Sequence, residues 1–223
     1  MIVTIDGPSA SGKSTVARKL ANELGFVYLN TGLLFRALAY CLIRECEYTD
    51  DRLSCPHDED ISTVLTGDRI VYKYNSQTGP KIICHGRDIT PLLKSPQIDQ
   101  AASIVSASPS VRKAVQTLEY NVARDHDVVA EGRDLGTVIF PHAEYKFYLT
   151  APIEVRAKRW QKSQERRGEH VTFGQALQEL TVRDDRDATR EIDPLVIPPG
   201  AHVIDNGHLS IDETVKRIRS YIQ

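Results

Sequence analysis

The feature that most constrains the fold lies at the start of the chain, where a short apolar segment runs into a glycine-bounded loop. Residues 2–6 have the composition of a buried strand, and the loop that follows matches the pattern G-x-x-x-x-G-K-[ST]. Gly7 and Gly12 can adopt backbone angles that other residues avoid, so consecutive N–H groups can converge on an anion. A helix that begins at Lys13 adds unpaired amides and the positive end of its dipole. The pattern therefore predicts a strand, a phosphate-binding loop (the phosphate loop, residues 7–12) and a helix.

The same loop predicts a site for a nucleoside triphosphate. Lys13 would reach the β- and γ-phosphates, and the hydroxyl of Ser14 would ligate Mg²⁺. The alternative is a glycine-rich surface turn that caps a helix, but the strand before the loop and the amphipathic helix after it argue against that interpretation. The residues predicted to contact ATP here are Gly7, Pro8, Ser9, Ala10, Ser11, Gly12, Lys13, Ser14 and Thr15.

Length and charge narrow the remaining possibilities. A chain of 223 residues with a formal net charge of −2 fits one domain with a small insertion, and it provides no general basic field for nucleic acid or a membrane surface. The first strand begins at residue 2 and no apolar run reaches membrane-spanning length, so no signal peptide is expected. We expect a cytoplasmic protein.

The four cysteines show no paired C-x-x-C spacing. A zinc site would have to join Cys55 and His57 to the segment Cys84-His85, and these residues lack the usual ligand spacing. The other two cysteines are Cys41 and Cys46, and we predict that all four are reduced thiols.

The order of the predicted elements favours an α/β fold. Core strands are predicted at 26–30, 128–130, 145–149 and 202–205, alternating with helices, which is typical of a parallel sheet. Between about 69 and 90 the hydrophobic period shortens from 3.6 to 2, which predicts an antiparallel insertion. We therefore predict a P-loop NTPase-type α/β fold: a five-stranded parallel sheet flanked by helices, with an inserted small antiparallel β module and a helical lid.

A second polar group follows the predicted central strand. Ligands of open α/β sheets bind beyond the carboxyl ends of the strands, which places Glu131, Arg133 and Asp134 at the mouth of the nucleotide site. A surface turn of mixed charge is the alternative.

Arginines recur along the chain. Arg36 lies one turn into the second helix, where it would be either a phosphate clamp or a solvated charge. Arg112 lies in the first turn of a helix, where the dipole disfavours a cation, so a partner outside the helix is expected. Arg156 and Arg159 precede a basic, glycine-containing turn between two helices. These helices could form a hinged lid over a triphosphate, or only a solvated hairpin.

One more charged set lies near the C-terminus. Arg183, Asp187 and Arg190 follow one another at i, i+4 and i+7, on one face of a helix. Two arginines and a carboxylate suit a phosphorylated sugar, because guanidinium groups bind phosphate and the carboxylate accepts from ribose hydroxyls. Ion pairs on a wet surface are the alternative.

Two classes of phosphate-loop protein are disfavoured. The chain has no guanine-specificity N-K-x-D, and the strand with a terminal carboxylate pair that motor ATPases use is present only in a weak form. The many arginines instead suggest two phosphate-bearing substrates, as in-line phosphoryl transfer requires.

Five parts of the sequence run in order over nearly the whole chain: 5–15, 31–38, 102–112, 131–141 and 183–190. In them G-R-D-x-G-T-V and R-D-D-R-D are the most distinctive motifs. With these segments the chain resembles the bacterial-type cytidylate (CMP) kinases, a family of nucleoside monophosphate kinases. The insertion at about 69–90 also resembles the enlarged monophosphate-binding domain of that family.

The resemblance implies ATP-dependent phosphorylation of CMP and dCMP by in-line transfer, with Mg²⁺ as cofactor. It implies a monomer that binds these small molecules and neither nucleic acid nor a membrane. The implied organisation is a core at about 1–30, 127–155 and 195–223, a monophosphate-binding region at about 31–126 and a lid at about 156–171.

The resemblance also implies roles for individual residues. The implied catalytic residues are Lys13, Arg36, Arg133 and Arg190. Arg156 and Arg159 would join the phosphate loop in binding ATP. The implied CMP ligands are Ser103, Arg112 and Asp134 for the base, Arg183 and Asp187 for the sugar, and Arg36, Arg133 and Arg190 for the phosphate, with Thr31 nearby.

Two residues depart from the family pattern. Asn30 stands where the family usually has Asp, and Phe35 stands where Tyr is common. Asn30 removes a negative charge near the phosphates, and Phe35 keeps an aromatic ring while losing a hydroxyl. Another small-molecule kinase of the same fold and a non-catalytic nucleotide sensor remain as alternatives.

Overall fold

Apolar strands alternate with amphipathic helices along most of the chain, and the computed structural model describes them at residues 1–49, 51–67 and 69–222. The chain divides into two units. The first unit comprises Met1–Gly25 and Val129–Gln223, and the second comprises Phe26–Val128.

The regular elements of the described residues lie close to their predicted positions. The strands are β1 (Ile2–Asp6), β2 (Val27–Asn30), β3 (Ile70–Asn75), β4 (Gly79–Cys84), β5 (Arg87–Asp88), β6 (Val128–Gly132), β7 (Tyr145–Thr150) and β8 (His202–Asp205). The helices are α1 (Lys13–Leu24), α2 (Thr31–Glu45), α3 (Asp58–Leu65), α4 (Pro96–Val105), α5 (Pro109–Ala123), α6 (Ile153–Glu165), α7 (Phe173–Thr189) and α8 (Ile211–Arg219). A 3₁₀ turn spans Thr90–Lys94 and a π-helical turn spans Leu135–Ile139.

The main sheet has five strands in the order β2-β6-β1-β7-β8. β1 pairs in parallel with β7, Val3 opposite Tyr145, and β7 pairs in parallel with β8, Phe147 opposite His202. The inner side chains of these strands are fully buried, as expected where helices cover both faces of a parallel sheet. The predicted fold class is confirmed.

The predicted insertion is a separate antiparallel sheet, β3-β4-β5, within the second unit. Its hairpin turn is built as the sequence indicates, because the side chain of Asn75 accepts from the backbone N–H groups of Gln77 and Thr78. Ile70 and Ile82 bury one face of the hairpin.

Two local features differ from the sequence-based prediction. α2 begins at Thr31, whereas the sequence predicts a start at Leu33, because the side chain of Asn30 accepts from the N–H of Leu33 and caps the helix. The π-helical turn after β6 was not predicted. No helix among the described residues has both the length and the apolar content to cross a membrane.

Candidate active site

The phosphate loop of the first unit has a backbone that only glycine permits at its first position. Gly7 has a φ of 147°, and a Cβ there would lie 2.1 Å from the carbonyl oxygen of Leu149. Gly12 has a φ of 96° and is the N-cap of α1. These two residues turn the chain from β1 into α1, so the amides at the start of the helix face the loop.

The side chain of Lys13 lies along this loop. Its ammonium group donates to the carbonyl oxygen of Pro8 at 2.7 Å and to the hydroxyl of Ser11 at 3.5 Å, and the residue is 5% exposed. Burial, followed by the nearby charge of Arg133, lowers the pKa of Lys13 to about 7. A buried cation of this kind favours an anionic ligand, because a phosphate would restore its charged form.

The predicted magnesium ligand has an acidic partner. The hydroxyl of Ser14 donates to a carboxylate oxygen of Glu131 at 2.7 Å, and Glu131 is the penultimate residue of strand β6. A hydroxyl and a carboxylate are the oxygen donors that Mg²⁺ prefers, so this pair fits the metal that the phosphate loop implies.

Asp184 and Arg156 hold the outer side of the phosphate loop. The carboxylate of Asp184 accepts from the N–H of Ser9 at 3.1 Å, and Arg156 binds both this carboxylate and the carbonyl oxygen of Ser9. Arg156 also donates to the carbonyl oxygen of Ala151 at 2.9 Å and is 8% exposed. The arginine therefore braces the loop from α6.

Arg159, one turn further along α6, contacts the loop next to Asn206. Its guanidinium group donates to both the side-chain and backbone oxygens of Asn206 at 3.0 and 2.8 Å. Both side chains also donate to the carbonyl oxygen of Ser11, Asn206 at 2.9 Å and Arg159 at 3.3 Å. The two predicted ATP arginines thus lie against the phosphate loop in this structure.

Arg133 joins the phosphate loop to α7. It donates to Asp187 at 2.7 Å and to the hydroxyl of Ser9 at 2.9 Å. Burial acts to raise the pKa of Asp187, but the guanidinium groups of Arg133, Arg183 and Arg190 together hold that pKa below its ordinary value. Asp187 is 6% exposed, so this is a buried, ionised pair with a guanidinium group turned towards the loop.

Arg190 and Asp134 form a second pair in the same unit. An Nη atom of Arg190 lies 3.4 Å from a carboxylate oxygen of Asp134, and its Nε donates to the carbonyl oxygen of Asp193 at 2.5 Å. Arg183 is half-buried on α7, one turn before Asp187. The predicted face of α7 therefore carries charged groups that meet residues following β6.

A buried carboxylate that the sequence analysis did not single out sits at the end of β1. Asp6 accepts from the N–H groups of Leu135 and Gly136 at 3.0 and 2.8 Å. Burial raises the pKa of Asp6 to about 6. By taking up two backbone donors, Asp6 fixes the π-helical turn that follows Asp134.

In the second unit, Arg36 has an acidic neighbour. Its Nε donates to Asp99 of α4 at 2.5 Å. The guanidinium also lies beside Gly32, where a Cβ would come within 3.2 Å of an Nη atom. Thr31, at the start of the same helix, is 5% exposed.

Asn30, one of the two departures from the family pattern, belongs to a tyrosine network. Its side-chain NH₂ donates to the hydroxyl of Tyr28 at 3.0 Å, and its backbone N–H donates to the hydroxyl of Tyr72 at 3.0 Å. Tyr72 in turn donates to the carbonyl oxygen of Tyr28 at 2.7 Å. The amide supplies a donor that a carboxylate lacks, which gives this substitution a structural use.

Arg112 meets the kind of partner that its helix position predicts. It donates to the carbonyl oxygen of Ser106 at 3.0 Å, and its guanidinium lies 5.8 Å from the centre of the Phe35 ring. Ser103 is 9% exposed, and its carbonyl oxygen accepts from the hydroxyl of Ser106. The ring that replaces the family's tyrosine still contacts a predicted base ligand.

The predicted site residues thus fall into two sets, one in each unit. The first unit brings Lys13, Arg133 and Asp187 around the phosphate loop. The sequence did not predict the residues that support these two sets. Each of them contacts a partner that is distant in the chain, and no local pattern indicates such a contact. These residues are Asp6, Asp184 and Asn206 in the first unit and Asp99 in the second.

Comparison with known proteins identifies the family. The family model described as cytidylate kinase matches residues 3–223. The chain belongs to the cytidylate kinase family. Two relatives named cytidylate kinase are those of Caldanaerobacter subterraneus, 37% identical over 99% of this chain and 94% of its own length, and of Carboxydothermus hydrogenoformans, 38% identical over 100% and 97%.

This membership means that the chain is a kinase, an enzyme of ATP-dependent phosphoryl transfer with nucleotide substrates. A solved structure of an uncharacterised protein from Eubacterium ventriosum has the same fold, with a TM-score of 0.54 and 16% identity over 100% of this chain and 98% of that chain. At this identity the likeness concerns the fold alone.

Proposed function

We propose that this member of the cytidylate kinase family phosphorylates CMP and dCMP with ATP, giving CDP or dCDP and ADP. The observation that carries the proposal is the match to relatives named cytidylate kinase over almost their whole length. We further propose direct in-line transfer, because the first unit surrounds its phosphate loop with cations, and phosphoryl transfer at such loops proceeds by positioning the two substrates and neutralising charge.

ATP would bind at the phosphate loop. Its phosphates would accept hydrogen bonds from the amides at the start of α1 and from the ammonium group of Lys13. In the structure this ammonium group donates to the carbonyl oxygen of Pro8. Arg156 and Arg159 would keep the loop in shape and reach the triphosphate when α6 and α7 close as a lid. These helices pack on one another through Ala157, Ala176 and Leu180 and can move as one body.

We propose Mg²⁺ as the cofactor. Ser14 and Glu131 would hold it, since they offer a hydroxyl and a carboxylate oxygen 2.7 Å apart. When bound, the ion would neutralise charge on the β- and γ-phosphates.

CMP would be bound by the remaining charged and polar groups. The phosphate would be held by Arg36, Arg133 and Arg190, and the sugar by Arg183 and Asp187. The base would be read by Ser103, Arg112 and Asp134, because a hydroxyl or carboxylate accepts from its exocyclic amine and an arginine donates to its ring carbonyl. In the structure these three arginines are paired with Asp99, Asp187 and Asp134, which orient their guanidinium groups.

We propose that the enzyme acts as a cytoplasmic monomer. The buried sulfur atoms of Cys41 and Cys84 lie 3.5 Å apart without a bond, as in a reducing compartment. A single chain supplies both sets of predicted ligands, so no second copy is needed to complete either.

A comparison of possible phosphoryl acceptors tests this function. ADP formation is measured by a coupled assay with CMP, dCMP, UMP, AMP and shikimate as acceptors at saturating Mg²⁺·ATP. We expect CMP and dCMP to give the highest kcat/KM, with AMP and shikimate lower by about 100-fold or more, because neither offers the amine and ring carbonyl of cytosine that Ser103, Arg112 and Asp134 would recognise. Preference for AMP or shikimate would refute the cytosine assignment. Tight ATP binding with no turnover of any acceptor would favour a nucleotide sensor.

The depressed pKa of Lys13 predicts proton uptake on ATP binding. Its pKa is about 7 in the folded chain, against 10.5 for an ordinary lysine side chain. At about pH 8.5 Lys13 is largely neutral in the free enzyme. Bound phosphates would raise its pKa, so ATP binding takes up close to one proton from solvent and weakens as pH rises.

The same shift affects folding stability. Between about pH 7 and 10.5 the unfolded chain binds more protons at Lys13 than the folded chain does, so the contribution of this group to the free energy of unfolding increases with pH.

Titration calorimetry in two buffers of different ionisation enthalpy measures this uptake. We expect it at about pH 8.5 and much less at about pH 6, where Lys13 is already protonated. The control is Lys13→Met, in which the uptake at high pH should disappear. Equal uptake in wild type and Lys13→Met would assign the proton to another group and contradict the prediction.

A further inference from the structure

Three potential metal ligands come together in the second unit, away from every residue assigned above, and an imidazole lies beside one of them. Cys41 and Glu45 are one turn apart on α2, at i and i+4, so their side chains share a face. Cys84 ends β4, and its sulfur lies 3.5 Å from that of Cys41 and 3.8 Å from a carboxylate oxygen of Glu45. The donor atoms of these three residues all lie within 4.8 Å of one another.

The hairpin that follows β4 brings an imidazole to the same carboxylate. His85 has a φ of 48°, and the left-handed turn at this residue directs its Nε2 to 3.2 and 3.3 Å from the two oxygens of Glu45. Arg69 lies near the same carboxylate, with an Nη atom 4.0 Å from an oxygen of Glu45. Two thiols, a carboxylate and an imidazole are thus collected from one helix and one hairpin.

We propose that this cluster binds a zinc ion through Cys41, Cys84 and Glu45, with His85 as the fourth ligand. Bonds of about 2.3 Å to sulfur and about 2.0 Å to nitrogen or oxygen put tetrahedral ligand atoms roughly 3.3–3.8 Å apart. The observed separations of 3.5, 3.8 and 3.2 Å fall near this range. Cys41, Cys84 and Glu45 therefore already approach a tetrahedral arrangement, whereas His85 lies outside that group and must move towards the sulfur atoms to close the site.

The charges and ligand types also suit zinc. Soft thiolates select Zn²⁺ over Mg²⁺ and Ca²⁺, which take only oxygen ligands at such sites. Two thiolates and one carboxylate carry three negative charges, of which the ion neutralises two and Arg69 the third. Binding would release the two thiol protons to solvent, since thiolate is the coordinating form.

The site would join α2 to the inserted sheet. Cys41 and Glu45 belong to the helix that carries Arg36 at its start, and Cys84 and His85 belong to the β4–β5 hairpin. Structural zinc sites stabilise small modules that have little core of their own. We therefore expect zinc to stabilise the second unit and to leave the chemistry of transfer unchanged.

The experiment measures metal content and coordination in the full-length enzyme. Purified protein is equilibrated with zinc, dialysed, and analysed for bound metal by mass spectrometry. We expect one zinc ion per chain, with a rise in thermal stability. Cobalt substituted at the site should show thiolate-to-cobalt charge transfer and the visible bands of a tetrahedral ion.

The variants are Cys41→Ser, Cys84→Ser, Glu45→Gln and His85→Ala, and the matched control is Cys46→Ser, a half-buried thiol outside the cluster. Each ligand variant should weaken zinc affinity by at least about tenfold, and each cysteine variant should reduce the charge-transfer band. If a buried serine prevents folding, Glu45→Gln and His85→Ala carry the test, because both side chains are partly exposed.

Three results would overturn the proposal. One is less than stoichiometric zinc in the wild type after dialysis. Another is zinc binding that survives in folded Glu45→Gln, His85→Ala and cysteine variants alike. The third is the formation of a Cys41–Cys84 disulfide, instead of zinc binding, in protein that is purified without reductant and supplied with zinc.

Discussion

Replacement of Arg133 by methionine is expected to lower kcat/KM for CMP by about 100-fold or more, which corresponds to about 2.7 kcal/mol of transition-state stabilisation. The guanidinium group of Arg133 contacts the phosphate loop through Ser9 and α7 through Asp187. Methionine keeps much of the volume and removes the charge. Steady-state kinetics with CMP as the varied substrate measure the loss, which should lie in kcat as well as KM.

The same substitution leaves a buried carboxylate behind, and a second variant separates that cost from the catalytic loss. Breaking a buried ion pair costs about 3–5 kcal/mol of stability, whereas removing both charges costs far less. We therefore expect Arg133→Met/Asp187→Asn to regain stability against urea without regaining activity. The matched control is Arg124→Met, an exposed arginine paired with Asp125, which should be neutral. Near wild-type kcat/KM in Arg133→Met would show that its role is only structural.

The second large effect is expected at Gly7. Replacement by alanine would put a Cβ 2.1 Å from the carbonyl oxygen of Leu149, at a φ of 147°. Relief of the clash must shift either the phosphate loop or β7, both of which are backbone, so we expect a loss of at least about 3 kcal/mol in the free energy of unfolding. ATP affinity should fall with it, because the loop amides would no longer converge.

The control for Gly7 is Gly168, which also has a positive φ, 83°, but has open space around its Cβ position. Gly168→Ala should cost only about 1 kcal/mol for the left-handed backbone. Urea unfolding and ATP titration of the two variants separate the clash from the backbone preference. Equal losses in both variants would contradict the structural account of the loop.

The features that could be predicted from the sequence are those determined by residues close together in the chain. The phosphate loop follows from Gly7, Gly12 and the strand and helix beside them, and the inserted sheet follows from a change in hydrophobic period. Helical spacing likewise put Arg183 and Asp187 on one face of α7, whereas Arg190 lies just after the helix ends. In each case the residues that determine the structure are neighbours in the chain, so their pattern is visible without coordinates.

The parts that were missed depend on partners far apart in the chain. Asp184 caps the N–H of Ser9 across 175 residues, and Asn206 holds the carbonyl oxygen of Ser11 across 195. Asp6 looked like an ordinary strand end, yet it fixes a π-helical turn 130 residues away. Spacing rules give no information on such contacts, because only the assembled sheet brings these side chains to the loop.

The cysteines illustrate the same limit. Sequence spacing directed attention to Cys55 and His57, whereas the structure gathers Cys41 and Cys84 from a helix and a strand 43 residues apart. The consecutive residues Cys84 and His85 belonged to that hypothesis, but their partners Cys41 and Glu45 lie on α2, about 40 residues earlier in the chain.

We expect the enzyme to transfer the γ-phosphoryl group of ATP directly to CMP. ATP made chiral at its γ-phosphorus by oxygen isotopes is incubated with CMP and the enzyme, and the CDP that forms is analysed for label and configuration. The account predicts that the label appears in the β-phosphate of CDP with inverted configuration, one CDP for each ADP. Retention of configuration, or ADP formation with the label in free phosphate and none in CDP, would contradict it.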